Sequence, residues 1–443
     1  MRSWAMVAAL VVCMSRAAEA QLPQQGGVQG VPLDATIGGA PLDSAMRGAP
    51  VGHYTLRSGA VARDEVSYLE VPECAGRGTV SVDDVVYRPQ HGPFIVHVPR
   101  GRHAVSVALD VSSYEKRVAC SGPLVVGSIA LTRAGFHVLD FPSPEPLGGH
   151  AVLYVPKRHD PAPGPLLVGL HPWNGSIWTY AAIAELIQQA DASDVTLLMP
   201  SGLGNSLYVA RAESEVFRAI DAAKARLAID PARISIWGAS MGGAGATTIG
   251  LHKPDAFASI TSFFGDSSYD LSTYVRTILP NEQAAREVNG LEVAENARHV
   301  PVWLIHGEAD TVSNIAQSEL LARDLAARTG YSVRFDRAPG EGHSGALVAR
   351  FIASVVSMAK DARAPARPSR VTYRSVRGVD SESYGVRLER RAEGVAAFDV
   401  EYKDGVIRLL SATNVASLVL APGALGAPRL AKVDARSVTV RWQ

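Results

Sequence analysis

The hydrophobic pattern of the chain changes twice. Between residues 53 and 141, apolar and polar residues alternate in short segments separated by turns, and this period of two predicts half-buried β-strands. Between residues 148 and 360, short apolar runs alternate with longer segments in which apolar residues recur at helical spacing. From residue 371 the period of two returns, with Lys403-Asp404-Gly405 as the turn of a predicted hairpin. The pattern therefore predicts a central α/β region between two β-rich regions.

The central region has the pattern of a sheet covered by helices. One predicted helix places Val216, Phe217, Ile220, Ala223 and Leu227 on one face. Strands that alternate with such helices form a mostly parallel sheet, because the crossover connections share one hand. The six predicted strands are 166–170, 195–199, 233–237, 259–264, 302–305 and 331–335.

Composition supplies further domain boundaries. The chain has 443 residues, more than one hydrophobic core usually accommodates. Two segments rich in Pro, one also rich in Gly and the other in Arg, are predicted to be linkers. The predicted organisation is a signal peptide at 1–20, a linker at 21–52, a β-sandwich-like accessory domain at 53–147, an α/β domain at 148–360, a linker at 361–370 and a small β-rich domain at 371–443.

The N-terminus has the pattern of a secretory signal peptide. An apolar run, Trp4–Met14, follows Arg2, and Ala18-Glu19-Ala20 matches the small-residue pattern of a cleavage site before Gln21. The apolar run is too short to span a bilayer. We therefore expect a secreted or periplasmic protein without integral membrane association; a lipid anchor at Cys13 is the alternative.

The predicted export affects the expected redox state of the cysteines. Cys74 and Cys120 remain after cleavage, in a compartment where disulfides persist. We expect one bridge between them, with a pair of reduced thiols as the alternative. Two cysteines without a CxxC spacing do not supply a tetrahedral metal site.

The charge balance excludes one class of partner. The chain has 43 basic and 43 acidic residues and a formal net charge of zero, so it lacks the basic excess of nucleic-acid-binding proteins. Hydrophobic residues are 47% and charged residues 19% of the chain, as in ordinary globular proteins. None of these values indicates an oligomeric state.

A nucleophile is indicated by Gly238-Ala239-Ser240-Met241-Gly242, a G-x-S-x-G sequence between a predicted strand and helix-compatible sequence. Small neighbours permit a sharp strand-to-helix turn, which exposes the serine oxygen near the helix N-terminus, where negative charge is favoured. A packing turn of small residues is the alternative. In this context we expect Ser240 to be a catalytic nucleophile.

Serine needs a base, and the base needs a carboxylate to orient it. In this topology the expected chain order is serine, acid, histidine. Asp310 follows the predicted strand 302–305 and His343 follows 331–335, so both should lie at the carboxyl edge of the sheet with Ser240. The alternatives are a helix cap for Asp310 and an incidental surface position for His343.

Three neighbouring residues have other expected roles. Asp266 follows the strand after the nucleophile and is the alternative acid. Glu308 is expected to support its loop, and His306, which precedes the expected acid, to be a structural hydrogen-bonding residue.

An oxyanion hole needs two backbone N–H groups, each worth on the order of 3 kcal/mol of transition-state stabilisation. Met241, immediately after the nucleophile, is expected to supply one. The other should come from the loop His171–Gly175, and because Pro172 has no N–H, Trp173 is the expected donor. The Trp173 side chain is either an apolar wall of the site or a core residue.

The segment from about residue 148 to 360 resembles an α/β-hydrolase. The sequences LHPWNGS, EVFRAIDAAKARLAIDPARISIWGASMGG, HGEADTV and GEGHSG resemble bacterial secreted esterases and prolyl-oligopeptidase-like catalytic domains. The resemblance covers about half of the chain and implies the α/β-hydrolase fold and a triad of Ser240, Asp310 and His343. It says little about the substrate. Pro172 stands where these proteins usually have Gly after the oxyanion-loop histidine.

Three functions are compatible with this sequence. The first is a secreted carboxylic-ester hydrolase, which needs no metal or organic cofactor. Its β-rich regions would suit an extended substrate, such as an esterified polysaccharide or a polyester. The second is a serine peptidase, which the lack of a propeller-like repeat disfavours. The third is an inactive carbohydrate-binding or adhesion protein, which the three filled triad positions disfavour.

Overall fold

A computed structural model describes residues 134–145, 149–157, 160–272, 279, 281–435 and 438–443, together with the backbone of separate strands between residues 38 and 127. The chain divides into two compact units, residues 1–93 with 98–127 and residues 94–97 with 128–443. The predicted signal peptide, Cys74 and Cys120 lie outside the described residues, so export and the disulfide stay predictions. No helix in the described part of the chain is long and apolar enough to cross a membrane.

The first unit is built from short strands, as the period of two predicts. Gly52–Arg57 pairs antiparallel with Val105–Val111, which also pairs with Thr79–Val82. Whether these strands pack as a sandwich stays a prediction. The strands are Gly38–Pro41, Gly52–Arg57, Val61–Arg63, Ser67–Val71, Thr79–Val82, Val85–Tyr87, Gly101–His103, Val105–Val111 and Pro123–Gly127.

The second unit contains the α/β region. Its strands are β1 (Phe94–Val98, of which residues 94–97 belong to this unit), β2 (Gly135–Phe141), β3 (Gly149–Val155), β4 (Gly164–Leu170), β5 (Thr196–Pro200), β6 (Ile229–Ala239), β7 (Ser259–Phe263), β8 (Val302–Gly307) and β9 (Val333–Ala338). Its helices are α1 (Ala184–Ser193), α2 (Arg211–Lys224), α3 (Met241–His252), α4 (Glu282–Val288), α5 (Ala316–Ala326) and α6 (Gly345–Asp361). Short 3₁₀ segments are Thr179–Ala182, Pro254–Ala256, Tyr269–Leu271 and Gly290–His299.

The strand order in this unit is β1-β2-β3-β5-β4-β6-β7-β8-β9. Strands β4 to β9 run parallel, while β3 pairs antiparallel with β2 and with β5. The six predicted strands coincide with β4 to β9 to within a few residues. The sheet also includes β2, which lies upstream of residue 148, the expected start of the α/β domain.

The parallel strands form the core because helices cover both faces. Every residue of β5, β7 and β8 is buried. On α2, Val216, Ile220 and Ala223 are buried in the same core, and Phe217 packs against it half-buried. The helical face expected from the sequence is therefore confirmed.

The strand order changes direction at β4. The strand that follows β4 in the chain, β5, lies on one side of it, and the next, β6, lies on the other. The loops after β4 and β6 therefore leave the sheet in opposite directions and open a crevice at the carboxyl edge, which is where ligands bind in open α/β sheets.

The C-terminal part of the second unit forms two further sheets around a hydrophobic core of its own. Their strand orders are β10-β13-β14-β16 and β11-β12-β15-β17, where β10 is Arg370–Ser375, β11 Glu382–Ser383, β12 Val386–Arg390, β13 Ala396–Lys403, β14 Val406–Thr413, β15 Val415–Leu420, β16 Lys432–Asp434 and β17 Thr439–Trp442. The predicted hairpin is confirmed, since Asp404 and Gly405 have φ of 52° and 78° as a two-residue type I′ turn requires.

A buried charge network joins the C-terminal segment to α3. The Asp380 carboxylate accepts a hydrogen bond from Nδ1 of His252 at 3.0 Å and lies 2.7 Å from Nζ of Lys253. Arg377 donates to Glu213 of α2 at 2.6 Å. Burial lowers the pKa of His252, and Arg377 adds to the effect, although Asp380 and Glu213 oppose it. Burial of Asp380 would raise its pKa, but the hydrogen bonds from His252 and Lys253 lower it to about 2.

This network predicts loss of stability in acid. As pH falls below about 6.5, the ordinary histidine pKa, the unfolded chain takes up a proton more readily than the folded His252 does, so the free energy of unfolding decreases. Asp380 adds a second decrease as pH falls below 3.8. Thermal unfolding followed across this range tests the first step. His252→Asn, which keeps a donor but does not titrate, should flatten it, and an equal slope in both proteins would refute the assignment.

Candidate active site

Ser240 occupies a sharp turn between β6 and α3. Its backbone has φ 57° and ψ −121°, a left-handed conformation that is strained for a residue with a side chain. The turn is held by two bonds: the Ser240 N–H donates to the Phe263 carbonyl at 2.9 Å, and the Ser240 carbonyl accepts from Ala244 N–H at 2.9 Å. The side chain is therefore presented above the N-terminus of α3 at the carboxyl edge of the sheet.

The glycines around Ser240 are required by close backbone approach. A Cβ on Gly242 would overlap the carbonyl oxygen of Leu170, and a Cβ on Gly238 would overlap the backbone of Gly242. The helix that follows the nucleophile therefore lies directly against the end of β4, and only glycine permits this contact.

Asp310 and His343 are hydrogen-bonded to each other. Nδ1 of His343 lies 2.8 Å from Oδ2 of Asp310, whose other oxygen accepts from the N–H groups of Val312 and Ser313 at 2.8 and 2.9 Å. Burial of Asp310 would raise its pKa, but the hydrogen bonds from His306 and His343 outweigh it and hold the pKa well below its ordinary value. The carboxylate is ionised, so Nδ1 of His343 must donate, which leaves Nε2 to accept a proton.

Two backbone contacts join the loops that carry these residues. Ala309 N–H donates to the Glu341 carbonyl at 2.8 Å, and Glu308 N–H donates to the Ala338 carbonyl at 3.0 Å. The ring of Phe264 lies 4.4 Å from the imidazole of His343, centroid to centroid. Phe264 directly follows β7, the neighbour of β6, so the imidazole lies over the strand next to that of Ser240.

Asp266, the alternative acid, contacts a different partner. Its Oδ1 accepts from Ser313 Oγ at 2.5 Å, and Ser313 in turn donates its N–H to Asp310. Burial raises the pKa of Asp266 above its ordinary value. The two carboxyl groups thus meet at Ser313, but it is Asp310 that accepts the hydrogen bond from His343.

His306 is fully buried beneath Asp310. Its Nε2 lies 2.8 Å from the Ser313 carbonyl and 3.5 Å from Oδ2 of Asp310, while Nδ1 lies 2.8 Å from Ser318 Oγ. These contacts fit the structural, hydrogen-bonding role expected for it. The side chain of Glu308 is exposed.

The expected oxyanion donors follow the ends of two neighbouring strands, Trp173 after β4 and Met241 after β6. Met241 is the first residue of α3, where backbone N–H groups have no acceptor within the helix. Trp173 lies in a turn closed by a bond from Gly175 N–H to the Pro172 carbonyl at 2.9 Å, with Asn174 at φ 59°. The Trp173 side chain is 37% exposed, whereas Trp178 is the tryptophan of this segment that is buried.

A second loop, residues 201–210, holds the Trp173 turn in place. Asn205 accepts from Asn174 N–H at 2.6 Å and donates to the Asn174 side chain at 2.7 Å. Nε2 of His171 lies 2.8 Å from the Ser201 carbonyl, and the buried Tyr208 hydroxyl donates to the His171 carbonyl. The roles of Asn205 and Tyr208 were not predicted from the sequence, because neither residue belongs to a motif that indicates a contact with the Trp173 turn.

Comparisons with known proteins agree with this architecture. Residues 210–358 match the prolyl oligopeptidase family, Peptidase_S9. Acyl-protein thioesterase 1 of Neurospora crassa is 34% identical over 116 residues, which are 26% of this chain and 41% of that protein. The chain therefore spans about two fifths of the length of that relative.

Two solved structures are similar to about half of the chain. An S-formylglutathione hydrolase from Agrobacterium tumefaciens is 18% identical with a TM-score of 0.47, covering 52% of this chain and 95% of the other. A truncated carbohydrate esterase from gut microbiota is 16% identical with a TM-score of 0.44, covering 52% and 96%.

The strand order, the turn at Ser240 and the family match together indicate the α/β-hydrolase fold.

Proposed function

We propose that the protein is an exported carboxylic-ester hydrolase in which Ser240 is the nucleophile, His343 the general base and Asp310 the acid that orients it. The observation that carries the proposal is the 2.8 Å bond between Asp310 and Nδ1 of His343, at the same edge of the sheet as the strained turn of Ser240. An ionised, buried carboxylate fixes the imidazole tautomer that a serine hydrolase needs.

The reaction proceeds through an acyl-enzyme. Oγ of Ser240 attacks the ester carbonyl carbon while Nε2 of His343 takes its proton. Collapse of the tetrahedral intermediate expels the alcohol, which leaves with that proton. Water then attacks the acyl group, with His343 again as base, and releases the carboxylic acid and free Ser240. The N–H groups of Met241 and Trp173 stabilise the oxyanion in both steps.

Exposed apolar side chains near the candidate site support a substrate with an apolar acyl group. Trp173, Leu271 and Val312 are 37%, 46% and 49% exposed and lie on the loops after β4, β7 and β8. These loops also carry the expected oxyanion donor, Asp266 and Asp310, so the apolar side chains border the same edge of the sheet. The β-rich regions flanking the α/β region suit a role as accessory domains for a polymeric ester, and the carbohydrate esterase among the similar structures is compatible with it.

A serine peptidase is the second candidate, because the matched family contains prolyl oligopeptidases. Turnover of p-nitrophenyl acetate and butyrate, beside alanine and proline p-nitroanilides, separates the two. We expect ester cleavage to dominate and to be blocked by a fluorophosphonate. Dominant anilide cleavage would favour the peptidase. Absence of both turnover and labelling would refute a catalytic function and leave a binding protein.

A further inference from the structure

The hydroxyl of Tyr180 joins two strands at the crevice. It donates to the carbonyl of Leu170 at 2.7 Å and accepts from the N–H of Ala239 at 3.0 Å. Leu170 is the last residue of β4 and Ala239 the last residue of β6, and these strands are neighbours in the sheet. A single buried oxygen therefore connects the two strand ends.

The ends of β4 and β6 that Tyr180 connects lie directly before the loops that carry the two expected oxyanion donors. The loop with Trp173 begins directly after Leu170, and Ser240 and Met241 directly follow Ala239. The strand order reverses between β4 and β6, so the backbones diverge beyond these residues. The separation of the Trp173 and Met241 N–H groups depends on how the strand ends are held.

Close packing fixes the position of the Tyr180 side chain. The side chain is 3% exposed, and its ring lies 4.3 Å from that of Trp237 on β6, centroid to centroid. A Cβ on Gly169 of β4 would come within 3.2 Å of the same ring. Burial raises the pKa of Tyr180 well above its ordinary value, so the hydroxyl keeps the proton that it donates.

We propose that Tyr180 is a positioning residue that sets the width of the oxyanion hole by bridging the ends of β4 and β6. The inference rests on the proposed function, because it presumes that an oxyanion forms between Met241 and Trp173. An oxyanion exists only in the transition state and the tetrahedral intermediates. Loss of the bridge should therefore lower kcat and leave KM nearly unchanged.

Tyr180→Phe tests the proposal, since it keeps the ring and removes only the bridging oxygen. We expect kcat for p-nitrophenyl butyrate to fall about 10- to 100-fold, the usual effect of a displaced transition-state contact. The affinity for a trifluoromethyl ketone, which forms an oxyanion on the serine, should fall by a similar factor. The midpoint of the pH profile should not move, because the His343–Asp310 pair is untouched.

Tyr384→Phe is the matched control. Tyr384 is also buried and its hydroxyl also donates to a backbone carbonyl, that of Pro254, but it lies in the C-terminal segment. Both variants should lower Tm by a similar amount, and only Tyr180→Phe should lower kcat. An equal kcat in the two variants would overturn the inference while leaving the hydrolase assignment intact. A wild-type protein without ester turnover or fluorophosphonate labelling would overturn both.

Discussion

Replacement of Ser240 by alanine is expected to reduce ester turnover by about 10⁵-fold or more, the usual loss when a serine hydrolase is deprived of its nucleophile. The remaining groups, an imidazole and two N–H donors, can bind a carbonyl but cannot form the acyl-enzyme. The fold should persist, because the bonds that hold the Ser240 turn come from its backbone and alanine has the same backbone groups. Initial rates with p-nitrophenyl butyrate and labelling by a fluorophosphonate measure the effect.

Ser259→Ala is the matched control, because it makes the same substitution at a serine away from the candidate site. Ser259 is buried at the amino end of β7, where its hydroxyl donates to Ser235 at 2.8 Å, so it lies at the opposite edge of the sheet from Ser240. We expect its turnover to remain within a few-fold of the wild type. Retention of fluorophosphonate labelling by Ser240→Ala would contradict the assignment and move the nucleophile to another residue.

The parallel part of the sheet could be predicted from the sequence because of how it is buried. Strands covered on both faces are continuous apolar runs, and β5, β7 and β8 are buried at every residue. Strand β2 differs. It pairs antiparallel with β3 and follows a long period-two region, so local pattern assigns it to the preceding β-rich segment. Only the pairing between β2 and β3 shows where it belongs, and pairing partners are not encoded in local periodicity.

The residues of the candidate site also differ in whether the sequence could predict them. Ser240, Asp310 and His343 each follow a strand of the parallel sheet, so topology alone brings their loops to one edge. Tyr180 and Phe264 have no such signal, because their roles depend on contacts with residues far along the chain, such as Ala239 for Tyr180 and His343 for Phe264. Pro172, the departure from the family pattern, is accommodated by a turn in which its carbonyl accepts from Gly175.

The two candidate acids have different hydrogen-bond partners, and a pair of matched substitutions tests which of them orients His343. Asp310→Asn should lower kcat/KM about 10⁴-fold, because an amide favours the wrong tautomer of His343 and does not stabilise the imidazolium. Asp266→Asn should lower it by only a few-fold. Asp266 bonds to the Ser313 hydroxyl rather than to the imidazole, so its substitution leaves the hydrogen bond between His343 and Asp310 in place.

The pH dependence distinguishes the roles further. The low pKa of Asp310 keeps its carboxylate ionised across the pH range of ordinary histidine titration. The wild-type rate should therefore rise with pH as the imidazole becomes neutral, without a separate step from the acid. In Asp310→Asn the imidazolium loses its anionic partner, so the rise should move to lower pH, whereas in Asp266→Asn it should stay in place. A larger loss, or a larger displacement of the profile, in Asp266→Asn would assign the orienting acid to the loop after β7 instead.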